Sequence, residues 1–194
     1  LRSSYISELF TPDGKIDEAK CKELIPDGIG HIPQFAMDLG KSPDEQRDMV
    51  AQLQKWLIEN TPNHIPALVH EEALSGINAL DATVYPQQIG MACTFNTGLA
   101  EKKTRLTATA LRDMGGLLAL SPMVDVVRTP SFNRLEESYG EDGYLSAAMG
   151  VAFVNGLQHN GNLHEGVAAC TKHFLGYGGG GNSSEKELME EILL

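Results

Sequence analysis

Four short apolar runs, separated by helical patterns, constrain the fold of this chain more than any other feature. Gly28-Ile29-Gly30-His31-Ile32 reads as a first strand punctuated by glycine. Pro66-Ala67-Leu68-Val69-His70 reads as a second, running into an acidic loop at Glu71-Glu72. Residues 117–121 form the third, ending at Pro122, and residues 167–170 the fourth. Ser42-Pro43-Asp44-Glu45 opens a helix at its cap and first position, with Met49, Leu53, Trp56 and Leu57 along its apolar face. Further helical patterns cover residues 97–114 and 142–157. A helix between consecutive strands returns the chain to the same end of the sheet, so the strands are predicted parallel with right-handed crossovers. The expected class is α/β. Four such units suit the first half of a (β/α)8 barrel or an open doubly wound sheet, and 194 residues fall short of the roughly 250 of a complete barrel.

Polar residues recur just after the strands, which is where α/β folds bind their ligands. Glu71 and Glu72 follow the second strand, and Lys172 and His173 the fourth. A charged segment at residues 125–140 follows the third and is longer than an ordinary connection, which marks it as functional. In Cys170-Thr171-Lys172-His173-Phe174 a cation and an imidazole stand side by side where a buried strand opens into a glycine-rich loop. A packed core has no use for that pair, so it should face a polar ligand or a carboxylate.

Composition narrows the ligand. A net charge of −11 argues against nucleic acid and against an anionic membrane surface, both of which need clustered Lys and Arg. Neutral ligands such as sugars remain. Cys21, Cys93 and Cys170 have no metal-type spacing and make an odd count, so neither a zinc site nor a disulfide framework is indicated; all three read as small buried hydrophobes. No run approaches 18 apolar residues, so no membrane span is expected. Leu1-Arg2-Ser3-Ser4 is no secretory signal and lacks an initiator Met, which suggests a cytoplasmic protein whose native start is absent or processed. Ser184-Glu185-Lys186-Glu187 has capping-box spacing before an amphipathic pattern that still runs at Leu194, as in a truncated domain.

Several tempting features have plainer readings. Gly176-Tyr177-Gly178-Gly179-Gly180-Gly181 has the look of a phosphate loop but lacks its lysine, since Asn182 stands there, and suits a flexible loop over a site. Glu137 reads as a partner for a neighbouring arginine. Glu141-Asp142 reads as the acidic first turn of a helix. His31 and His70 sit at strand ends, where they either line a pocket or serve as structural residues. His159 and His164 flank a turn and read as solvated, and Trp56 as core.

Five blocks carry a family resemblance: Pro66 through Gly76, Ala82-Thr83-Val84-Tyr85-Pro86-Gln87, Ser121-Pro122-Met123-Val124-Asp125-Val126, Asn133-Arg134-Leu135-Glu136-Glu137-Ser138-Tyr139-Gly140-Glu141-Asp142, and Lys172-His173-Phe174. In order and spacing they resemble the N-terminal barrel domain of glycoside hydrolase family 3. The resemblance implies a partial TIM barrel, made of the first four β/α units, from residue 28 to 194, after a helical lead-in at residues 1–27. It further implies a retaining, exo-acting β-glycosidase. β-D-Glucosyl ends are the first expectation and β-xylosides the second, with a non-catalytic carbohydrate-binding module as the alternative from another class. Members acting on N-acetylglucosamine are set aside, because Leu175 and Tyr177 replace the proline and second histidine of their motif.

Residue by residue, Glu72, Arg134, Lys172 and His173 resemble the family's ligands to the sugar hydroxyls. The chemistry suits them: a carboxylate accepts from vicinal hydroxyls, while Lys, Arg and His donate to them. Asn133 stands where the family has glycine, and Thr129-Pro130-Ser131-Phe132 where it has Asp-Pro-Arg-Trp. Retaining chemistry needs a nucleophile and an acid/base about 5–5.5 Å apart. The family's Ser-Asp-Trp/Tyr nucleophile block does not occur here, so no catalytic residue is assigned and the chain by itself is expected to be inactive. No cofactor or metal is expected. A β-linked glycoside is the expected partner, and self-association should cover the open faces of a half barrel.

Overall fold

The computed structural model describes residues 6–33, 40–162, 164–173 and 176–177. Four parallel strands, β1 (His31–Pro33), β2 (Leu68–Glu71), β3 (Leu118–Ala119) and β4 (Ala168–Ala169), lie in the order β1-β2-β3-β4. A doubly wound sheet reverses its strand order at a switch point, whereas here every step goes the same way. This is the wall of a partial (β/α)8 barrel. Register pairs Ile32 with Val69 and Glu71 with Ala119.

The strands are shorter than the sequence pattern suggests, and the ladder runs slightly past them. Leu120 N–H donates to Glu71 O at 2.8 Å, and Cys170 N–H to Ala119 O at 2.9 Å. One consequence touches the site. Glu71, expected in a loop, ends β2 and is buried, so Glu72 is the first residue beyond the strand.

The described helices are α1 (Glu18–Leu24), α2 (Pro43–Asn60), α3 (Gln88–Ala92), α4 (Thr97–Asp113) and α5 (Gly143–Leu157). Their starts follow cap chemistry. Ser42 and Glu45 form the reciprocal capping box of α2, with Ser42 N–H donating to Glu45 Oε2 at 2.9 Å. Asn96 caps α4, accepting from Leu99 N–H at 2.9 Å. Asp142 is the cap of α5, accepting from Leu145 N–H at 2.6 Å, so Glu141-Asp142 precede the helix and do not form its first turn.

The two larger apolar clusters among the described residues hold these layers together. One joins Ile6, Leu9, Cys21 and Ile25 of the N-terminal segment to Ile32, Val69 and the Met49–Leu53–Trp56–Leu57 face of α2. The other sits between the sheet and the α4–α5 pair, around Leu111, Met149, Phe153 and Leu157. α4 and α5 approach closely because position 156 is glycine: a Cβ there would collide with the Thr104 hydroxyl and the Glu101 carbonyl. Among the described residues, no helix is long and apolar enough to cross a membrane.

Two expectations need correction. Only Cys21 is buried; Cys93, at the C-cap of α3, and Cys170, just past the two-residue β4, are exposed because short elements leave their ends uncovered. His159 is not solvated. Its side chain is 11% exposed, with Nδ1 3.6 Å from Glu165, because the turn after α5 folds back on α4. The helix expected from Ser184, and the glycine run beyond Tyr177, lie outside the described residues.

Candidate sugar-binding site

Glu72, Arg134, Lys172 and His173 form one cluster at the carboxyl ends of the strands. Past β4 the chain keeps pairing with the segment after β3: Lys172 bridges Met123, and Lys172 N–H donates to Pro122 O at 2.9 Å. This extension carries the lysine across to β2, where its ammonium forms an ion pair with Glu72 Oε2. The lysine side chain is 13% exposed and the glutamate 39%, so the carboxylate faces outward and the ammonium supports it from beneath.

Asp125 organises the other half and was not singled out in the sequence. Its carboxylate, 1% exposed, accepts from His173 N–H at 3.2 Å, from His173 Nδ1 at 2.8 Å and from Tyr177 N–H at 2.6 Å. Arg134 Nη1 lies 3.2 Å from His173 Nε2. A carboxylate can only accept and a guanidinium can only donate, so the ring is held as its Nδ1–H tautomer with Nε2 accepting. The signal for Asp125 was available: a lone acid after the apolar Pro122-Met123-Val124, at the end of a strand, obeys the same rule that exposed Glu72 and Lys172.

Arg134 is fixed from its far side by Glu137, through Nε at 2.9 Å and Nη2 at 2.6 Å, the partnership read from the sequence. That bidentate pairing raises the guanidinium pKa above its ordinary value, and the charge of Glu72 adds a smaller contribution. The guanidinium carbon stands 5.8 Å from the Tyr177 ring centre, and that ring packs 4.8 Å from the His173 ring. Tyr177 also meets buried Phe132 edge-on at 5.8 Å. An aromatic wall therefore flanks the cations.

Beside Glu72 and Glu137 opens a cavity of about 330 Å³, with Ser75, Asn78 and Gln87 on its lining. Of the four clustered residues only Glu72 lines this cavity; Lys172 and Arg134 stand behind it, held by Glu72 and by Glu137 and His173. Glu136 is exposed and joins none of the contacts among the four residues. Among the described residues, no group of three or more His, Cys, Asp or Glu is placed to hold a metal.

His31 and His70 belong to a separate pair on β1 and β2. Their rings lie 4.0 Å apart, and His31 Nε2 and His70 Nδ1 are buried with no hydrogen-bond partner among the described residues. Burial first, and His31 second, push the His70 pKa down to about 4, against a weaker opposing pull from Glu72.

The family model for the glycosyl hydrolase family 3 N-terminal domain matches residues 3–191. A putative β-xylosidase of Formosa agariphila is 36% identical over 166 residues, covering 79% of this chain and 22% of that protein. A lysosomal β-glucosidase of Dictyostelium discoideum is 33% identical over 137 residues, covering 67% and 17%. A solved β-glucosidase from Erythrobacter marinus superposes with a TM-score of 0.79 at 32% identity, covering 84% of this chain and 23% of that one. The chain spans about a fifth of the length of the relatives it matches.

Proposed function

The chain belongs to glycoside hydrolase family 3, and from that premise we propose that it supplies the sugar-holding part of an exo-acting β-glycosidase. The observation that carries this is the convergence of β2, β4 and the segment after β3: the Lys172–Glu72 ion pair and the Arg134–His173 contact share one face. Glu72 accepts from ring hydroxyls of a terminal β-D-glucosyl unit, while Lys172 and Arg134 donate. Glu137 keeps the Arg134 guanidinium oriented, and Asp125 holds the His173 ring, whose two nitrogens are taken up by Asp125 and Arg134. The contribution is binding and orientation. The nucleophile and acid/base come from another part of the whole protein.

Titration of the chain with methyl β-D-glucopyranoside, followed by NMR, tests this. Saturable binding that Glu72→Gln and Lys172→Met each weaken by about tenfold, the cost of one lost charged hydrogen bond, supports the reading. Binding unchanged by both substitutions overturns it. A xylosyl ligand is the second reading, favoured by the 36% identity to a putative β-xylosidase. Methyl β-D-xylopyranoside binding more tightly than the glucoside in the same titration would select it.

A further inference from the structure

Lys103 is 5% exposed in the interior of α4, where an ammonium ordinarily has no place. It donates to two backbone carbonyls, Leu74 O at 3.0 Å and Pro86 O at 2.9 Å, and lies 5.8 Å from the Phe153 ring centre of α5. Burial alone pulls its pKa down to about 8. The two carbonyls bound the segment that leaves Glu72 and returns to α3. Between them the segment closes on itself, with a Gly76–Val84 bridge and Tyr85 N–H donating to Ser75 O at 2.8 Å. Gln88 Nε2 donates to the same Leu74 carbonyl at 2.9 Å.

The residue between Glu72 and Leu74 explains why so much is spent there. Ala73 has φ of 53°, a left-handed conformation that a residue with a Cβ adopts only where its surroundings hold it. That turn sets the direction in which the Glu72 side chain leaves the end of β2. We propose that Lys103 is a positioning residue for Glu72: by gripping Leu74 O and Pro86 O it maintains the turn at Ala73 and aims the Glu72 carboxylate at Lys172. An ammonium suits the task because it donates in several directions from one point at the end of an apolar stem, so it gathers two carbonyls across a packed core. The inference rests on the reading of Glu72 as a sugar ligand.

The test compares Lys103→Met and Lys103→Arg in the full chain, by hydrogen exchange and by titration with methyl β-D-glucopyranoside. Methionine keeps the apolar stem, so the melting temperature should stay within about 3 °C. Exchange across residues 73–87 should quicken by about tenfold while the rest of the chain keeps its protection. Glucoside affinity should fall about fivefold, with arginine restoring both properties. In an Ala73→Gly background, Lys103→Met should lose most of its effect, since glycine adopts the turn unaided. Unchanged exchange at 73–87, or a chain that loosens everywhere or fails to fold, overturns the proposal. A chain that binds no glycoside at all removes the sugar reading, and the exchange measurement then decides the clamp on its own.

Discussion

One carboxylate oxygen of Asp125 accepts from both the backbone N–H and the ring Nδ1 of His173, at 3.2 and 2.8 Å, from a side chain only 1% exposed. The acid thereby sets which His173 nitrogen faces Arg134. Asp125→Asn should break this selection, because an amide NH₂ set against the ring favours the opposite tautomer. The expected cost is about 1.5–3 kcal/mol of stability, the range for hydrogen bonds to a charged group. Ring ¹⁵N shifts of His173 should report the exchange of tautomers. Unaltered shifts would show that Arg134, and not Asp125, orients the ring.

The ion pair between Lys172 and Glu72 should be asymmetric to mutation. Removing the carboxylate leaves a cation that is 13% exposed without its partner, whereas removing the lysine leaves a carboxylate that water already reaches at 39% exposure. Glu72→Gln should therefore cost more than Lys172→Met in urea unfolding, about 1–3 kcal/mol against less than about 1. A double-mutant cycle measures the coupling, and equal single costs would contradict this picture.

Acid should weaken the β1–β2 contact through His70. Its folded pKa of about 4 lies below the ordinary 6.5, so between those values the unfolded chain holds a proton that the folded chain excludes. The contribution is intact above about pH 6.5 and is lost as pH falls toward 4, an effect on the order of 3 kcal/mol. His70→Phe removes the titrating group. Unfolding free energies measured from pH 7 down to pH 4 should show a shallower decline in the variant than in the parent chain, and parallel curves would exclude His70 as the source.

Self-association should run through the outward face of α5. No charged residue occurs between Gly143 and Leu157, and Tyr144 and Val151 are 86% and 62% exposed. An uncharged helix with large exposed apolar side chains needs cover, and each buried Å² contributes about 25 cal/mol. Light scattering should find the chain larger than a monomer at micromolar concentration, with Val151→Glu shifting it to the monomer. A parent chain that stays monomeric removes the claim.

Much of the architecture was legible because it is encoded locally. The apolar period marked α2, α4 and α5, and Ser42-Pro43-Asp44-Glu45 announced a capping box that the structure contains. Strand limits were harder to read. A strand ends where its neighbour stops pairing, and that neighbour lies far away in the chain, so Glu71 joined β2 against expectation. Exposure of Cys93 and Cys170 was misread for a related reason: a cysteine's own chemistry does not reveal how short the element beneath it will be.

By itself the sequence determined the order of strands and helices, the family, and the four polar residues placed after strands, because periodicity, cap chemistry and short motifs act within a few residues. Only the tertiary structure decided which groups meet. Lys172 finds Glu72 across 100 positions, Asp125 finds His173 across 48, and Lys103 finds Leu74 across 29. Those pairings depend on strand register and helix packing. Both are settled by burying apolar surface throughout the domain, so no local spacing can encode them.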